Sequence, residues 1–433
     1  MESTPGGWCR RAVSIALLVA IAMASACGPD ASDDDVDRSE PPGSTIGPSE
    51  GLERAASDPG EPVGELVVGF SEAGLDLMRA QPADENLVFS PLSIGHALLM
   101  ARGAADETTG EAIDIALGLP EGMAAHGAWN TLDLALAADS GTQTALDGTE
   151  SPIVTLADRL WPSTTATPDQ GWIDLMATHH GAGVESFDPS DPEVSRERIN
   201  GWVSDQTNEL IPELLPPGFI GPDTVLVLTD TVYFKAQWRS IFGKYGSEIG
   251  PFTRLDGTEV DVPFLVDLEQ PGPRGSGDGF VGAEIPYLGD GFSMLLIVPD
   301  EGRFEEIRER LSVDLLAEID AAFTTGPYEL RMPEWETTTA FDFLDWLKGL
   351  GIAPGSYPGI APDAFLAGAV HGADITVDEL GTEAAAATAL GFEDSGPSEP
   401  EMVVAADRPF FYLVRHVGTG AILFAGQVTD PTS

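Results

Sequence analysis

Apolar residues recur at three- and four-residue steps along 66–78 (LVVGFSEAGLDLM) and again along 93–102, the period of an amphipathic helix. Ser90 and Pro91 ahead of the second run supply a cap and a proline near the helix start. A third helical pattern opens at 199–203 (INGWV) and leads towards Pro212; a fourth covers 341–350 and stops at Gly351. Strand-like runs sit at 224–228 (TVLVL), 231–234 (TVYF) and 293–298 (SMLLIV), with two more at 409–414 and 421–428. Helices come first and strands later, without strict alternation or an internal repeat, which predicts an α+β fold over a doubly wound sheet. Two Gly- and Pro-bearing stretches, 140–152 and 269–280, read as surface excursions.

The 433 residues are 42% hydrophobic, so a large core can form, in two domains or in one unusually large one. Acids outnumber bases 71 to 21, for a formal charge of −50. A surface this negative repels nucleic acid and anionic lipid and excludes polyanion-binding functions.

Arg10 and Arg11 precede an apolar run at 12–22 that is too short to span a bilayer. With the small residues Ala24, Ser25 and Ala26 it reads as a secretory signal over 1–27. Cys27 follows directly, and the junction resembles a bacterial lipobox in which Cys27 is lipidated, although Ala24 stands where Leu is usual. The alternative is ordinary cleavage and secretion. Cys9 lies inside the signal, so the mature chain holds one Cys and no internal disulfide. Residues 28–62, acidic and rich in Pro, Gly and Ser, are expected to be a disordered tether. The domain proper is then 63–433.

Convergent catalytic chemistry is not legible. Gly47, Ser49 and Gly51 match G-x-S-x-G but lie in the tether, with neither the strand nor the helix that a nucleophile elbow needs. No H-E-x-x-H, P-loop or Cys pair occurs, and His179-His180 reads as a surface or capping pair. No cofactor, no metal and no enzyme activity are expected.

The stretch 377–400 (VDELGTEAAAATALGFEDSGPSEP) is different. At period two one face is Thr382, Ala384, Ala386, Thr388, Leu390 and Phe392; Glu383 and Glu393 lie on the other. It is patterned as a half-buried strand although alanine is poor in strands and the tail reads as loop. A short Ala-rich helix is the other reading.

Several separated motifs resemble one family, the serpins, over about 63–433. They are Asn86 to Ile94 (NLVFSPLSI) with Gly103-Ala104 and Thr108-Thr109, then INGWV with Thr207, then Val232 to Trp238 (VYFKAQW). Val377 to Ala384 (VDELGTEA) follows, and then Asp407 to Phe410 (DRPF) with Leu423 to Gly426 (LFAG) and Pro431. The resemblance implies a single large α+β domain with three β-sheets, eight or nine helices and an exposed reactive-centre loop at about 379–406. It implies suicide inhibition of a serine protease, or a cysteine protease. Cleavage of the loop lets a hinge enter the central sheet as a new strand, spanning roughly 45 Å from Thr382 to Ser395. The hinge would be Glu379, Gly381, Thr382, Glu383, Ala384, Ala385, Ala386, Ala387 and Thr388. Ser90, Ser93, Asp230 and His371 correspond to the shutter beneath the opening sheet, and Trp238 to the breach where the loop enters.

Two departures matter. Asp230 stands where Asn is usual, which places a carboxylate near His371 and would make opening pH-sensitive. Glu334 stands where Lys often pairs with the hinge glutamate, here Glu379. Counting from Glu379 puts the scissile bond at Ser395-Gly396, suited to elastase- or subtilisin-like proteases; a one-residue slip gives Asp394, and Phe392 is a further option. A secreted monomer held at the membrane only by lipid is expected, with no nucleic-acid or glycosaminoglycan partner. The alternative is a non-inhibitory serpin acting as a binding protein; a small, uncharged inward hinge face favours inhibition.

Overall fold

The computed structural model describes residues 47–146, 148–242, 247–382 and 402–433. Among them nine α-helices form: α1 (Val63–Ala80), α2 (Pro91–Arg102), α3 (Glu107–Leu117), α4 (Ala124–Asp139), α5 (Gln170–Leu175), α6 (Pro192–Gln206), α7 (Phe304–Arg310), α8 (Val313–Ala322) and α9 (Leu344–Gly349). A π-helical turn, Met176–His180, continues α5. The strands begin with β1 (Leu87–Phe89), β2 (Gln143–Thr144), β3 (Glu150–Ser151), β4 (Ile153–Pro162), β5 (Gly183–Val184) and β6 (Leu226–Gln237). Next come β7 (Ser247–Thr253), β8 (Glu259–Gly277), β9 (Phe280–Pro286), β10 (Phe292–Pro299), β11 (Thr324–Pro333) and β12 (Trp335–Asp342). The last are β13 (Val370–Val377), β14 (Gly381–Thr382), β15 (Val403–Ala405), β16 (Phe410–His416) and β17 (Ile422–Val428).

These strands make three sheets: six strands in the order β12-β13-β14-β6-β4-β5, nine strands built around β8 to β11 with β16, β17 and β1, and the hairpin β2-β3. The α+β architecture with three sheets is the one expected. The helix starts follow local chemistry. Ser90 Oγ accepts from the Ser93 N–H with Pro91 at the first helical position, and Asp106 caps α3 through the Thr109 N–H. Gly69 lets α1 lie hard against the end of α3, since a Cβ there would fall 1.8 Å from the Leu117 carbonyl oxygen.

The six-stranded sheet is covered on both faces. On one, α2 and the main core pack against it through residues such as Leu98, Leu99, Phe234 and Ala236. On the other, Ile199 of α6 joins Trp161, Phe187 and Val227 in a separate cluster, and Trp202 meets Trp161 edge-on. Each fully buried large side chain contributes about 1.5–3 kcal/mol.

Three expectations are corrected. Residues 269–280 are no surface excursion: β8 runs through Gly277, with Gln270 opposite Tyr328 and both fully buried. Pairing with β11, some fifty residues later, overrides the Pro and Gly signals. Phe341 belongs to a strand, because β12 pairs with β13 down to Asp342 opposite Val370, and α9 starts only at Leu344. Residues 49–61, given to the tether, lie along α4 and α5. Ser49 donates twice to Asp174, the Ala55 N–H to the Thr178 carbonyl, and Arg54 Nε to Asn130 Oδ1 at 2.9 Å. The segment cannot build its own core, but a preformed polar track receives its backbone. The Ser49 hydroxyl of the G-x-S-x-G match is thereby committed to anchoring.

Candidate functional site: the slot in the six-stranded sheet

Between β13 and β6 sits a strand of two residues. Thr382 pairs with Val377 of β13 and Ala236 of β6, and Gly381 pairs with Gln237. Among the described residues β13 and β6 each pair with β14 at the top of the sheet and nowhere with each other. Two neighbouring strands held apart in this way can take one more strand between them.

The entrance is built by aromatic packing and backbone hydrogen bonds. Trp238, fully buried, stacks on Tyr287 (centroids 4.5 Å, planes 10° apart) and takes Phe242 on its edge. Its backbone N–H donates to the Leu380 carbonyl at 2.7 Å and its Nε1 to the Asp378 carbonyl at 2.9 Å. Tyr287 Oη meets Thr382 Oγ1 at 2.7 Å. Asp378 Oδ1 accepts from the Leu380 and Gly381 N–H groups, closing the turn that reverses the chain out of β13. Gly381 is required there: a Cβ would lie 2.1 Å from the Ala236 carbonyl oxygen. Burial and the neighbouring charges of Glu379 and Asp378 push the Glu334 carboxyl up. Glu334 thus places a further acid beside Glu379 and Asp378 at the entrance.

Beneath the slot, the N-terminus of α2 touches both of its edges. The Ser90 N–H donates to His371 Nε2 of β13 at 3.0 Å, and Ser93 Oγ donates to Asp230 Oδ1 of β6. Ser90, Ser93 and His371 are all buried. Asp230, however, is not the direct partner of His371. Its other oxygen, Oδ2, meets His96 Nδ1 at 2.5 Å, and Asp158, opposite Asp230 in the β4–β6 register, faces the same nitrogen. His180 is likewise no surface residue. It is 1% exposed and bridges His96 Nε2 and His126 Nδ1, at 2.8 Å each. Burial raises the Asp158 carboxyl. Burial alone would lower His96, but the charges of Asp158 and Asp230 outweigh it and raise the imidazole. His96, Asp158, His126 and Tyr287 escaped the sequence reading. The one local signal was His96 following Ser93 by three residues, on the same helical face.

Burial pushes His371 down to about 4 against the charge of Asp230. It does the same to His126, where His179, Arg102 and His96 add to the effect and Asp114 opposes it. Both are neutral when folded and return to the ordinary value near 6.5 when unfolded. The unfolded chain thus binds more protons between those values. This stability is fully present above pH 6.5 and is lost as pH falls towards 4, on the order of 3 kcal/mol per histidine. The urea midpoint should therefore fall steadily from pH 7 to 4.5, and His371→Gln should flatten part of that slope; equal slopes for both proteins would contradict it.

Glu383, Ala384, Ala385, Ala386, Ala387, Thr388, Asp394, Ser395 and Gly396 lie outside the described residues, as do Cys9, Cys27 and the tether before residue 47. No helix of the described residues is long and apolar enough to cross a membrane.

Comparison with known proteins agrees with this geometry. The family model "Serpin (serine protease inhibitor)" matches residues 70–431. Antithrombin-III of Mus musculus is 28% identical over 365 residues, covering 80% of this chain and 77% of its own. The native structure of the thermophilic serpin tengpin superposes with a TM-score of 0.75 at 21% identity, over 88% of this chain and 96% of tengpin. Thyroxine-binding globulin in complex with thyroxine superposes with a TM-score of 0.70 at 23% identity, over 85% and 99%. A family model matching most of the domain shows that the chain belongs to the serpin family, whose members are protease inhibitors or binding proteins.

Proposed function

We propose that the chain is a suicide inhibitor of serine proteases of elastase- or subtilisin-like specificity, cleaved at Ser395-Gly396 and tethered to the cell envelope through a lipidated Cys27. The observation that carries this reading is the slot: Gly381 and Thr382 occupy its top, pairing with both β13 and β6, and among the described residues those two strands do not pair with each other. Once the loop is cut, residues following Thr382 gain two sets of strand partners, each hydrogen bond adding about 1 kcal/mol net. Insertion then competes with deacylation, and the acyl-enzyme is carried away before water releases it. Alanines at 384–387 suit such entry because they are small and bring no charge to be buried.

Incubation with elastase, subtilisin, chymotrypsin and a glutamyl endopeptidase tests this. An SDS-stable complex with elastase or subtilisin is expected, and mass spectrometry of the released peptide should begin at Gly396. Complete cleavage without a complex would favour the binding-protein reading, and a peptide beginning at Ser395 would move the bond to Asp394-Ser395.

A further inference from the structure

We propose that His96, Asp158 and Asp230 form a binding site for a divalent transition cation of the zinc class, tying α2 to β4 and β6 under one edge of the slot. This stands apart from the inhibitory reading. His96 is 1% exposed, and the side chains of Asp158 and Asp230 are 6% and 5% exposed. Two carboxylates face a single imidazole, so the spot where they converge has to hold a further positive charge, either a proton or a cation in its place. Asp158 Oδ1 makes no hydrogen bond and points at His96 Nδ1 from 3.4 Å. Two donors each about 2.1 Å from a tetrahedral zinc lie about 3.4 Å apart, so this pair is already at ligand spacing. One donor atom from each of the three residues lies within 4.8 Å of the others. Asp230 Oδ2, at hydrogen-bond distance from Nδ1, has to draw back by about 1 Å to the same spacing.

The surroundings resemble the outer shell of such a site. Trp129 stacks on the His96 ring (centroids 3.5 Å, planes 11° apart) and fixes its plane. With His96 Nε2–H donating to His180 Nδ1, and His180 Nε2–H to His126 Nδ1, loss of the Nδ1 proton would leave a lone pair directed at the carboxylates. Ser93 Oγ donates to the far oxygen of Asp230 and orients it. One nitrogen and two oxygens suit zinc over calcium or magnesium, which prefer all-oxygen sets. The cation enters as M²⁺, and protons held on Nδ1 and on the carboxyl pair leave to solvent.

The test uses the full chain, stripped with a chelator and titrated with zinc alone by calorimetry in two buffers of different ionisation enthalpy. One equivalent per chain with proton release is expected, along with a rise in unfolding temperature. Cobalt(II) in its place should give the visible absorption of a tetrahedral site, which weak binding to the acidic surface does not produce. Asp158→Asn keeps the shape and removes one buried charge, and should weaken zinc by more than about 100-fold. His180→Gln, touching only the outer shell, should weaken it by about 10-fold. If the stripped chain binds no stoichiometric zinc, or if Asp158→Asn binds it equally well, the cluster holds protons only and the proposal is wrong.

Discussion

Thr382→Arg should convert the protein from a trap into a substrate: the stoichiometry of inhibition rises at least tenfold while the rate of loop cleavage stays the same. Thr382 is 3% exposed, pairs on both sides and shares a hydrogen bond with Tyr287. Its side chain points into the core face, where a guanidinium would have to be buried without a carboxylate built to receive it. Burying an unpaired charge costs several kcal/mol, and the group would instead hold the hinge out of the sheet. Insertion and deacylation compete from the same acyl-enzyme, so each 1.4 kcal/mol added to the insertion barrier changes the partition tenfold. Thr382→Ser, which keeps the hydroxyl, should remain an inhibitor. An unchanged stoichiometry in the arginine variant would mean that Thr382 does not lie on the insertion path.

The second large effect is on stability. Trp238→Ala should lower the unfolding free energy by about 4 kcal/mol, since it opens a cavity where a fully buried indole had stacked on Tyr287. It also leaves the Asp378 carbonyl without its Nε1 donor, which loosens the turn leading to Gly381. Trp238→Phe preserves most of the stacking and should lose only about 1–2 kcal/mol. Urea unfolding of the three proteins separates the contributions; equal losses for alanine and phenylalanine would place the weight on the hydrogen bond and not on packing.

What could be read from the chain was mostly what is local. The helices α1 and α2, the fully buried β10 and the closing strands β16 and β17 follow from periodicity and caps. The runs at 224–228 and 231–234 merge into the single strand β6, because Thr229 and Asp230 take their places opposite Arg159 and Asp158 in the ladder with β4. The Pro- and Gly-bearing half of β8 was invisible because its partners lie in β11 and β9. The entrance residues Gly381 and Trp238 came from motif resemblance, and the structure adds what they do: one admits backbone at contact distance, the other holds two carbonyls. The buried histidine chain could not be found by spacing, since its members come from α2, α4 and the π-helical turn, and their neighbours Asp158 and Asp230 from two strands. His179-His180 looked like a surface pair because adjacent residues on a helix face different ways; one is half-buried and the other is sealed.

The most direct measurement is the unfolding temperature before and after a single protease cut in the 383–401 segment. If the slot between β6 and β13 receives the freed segment as a strand, about ten new ladder hydrogen bonds form. The cleaved protein should then unfold more than about 10 °C higher, with new amide protection within 226–235 and 370–376. A cleaved protein that unfolds at the same or a lower temperature, with those amides exchanging as before, would contradict the account.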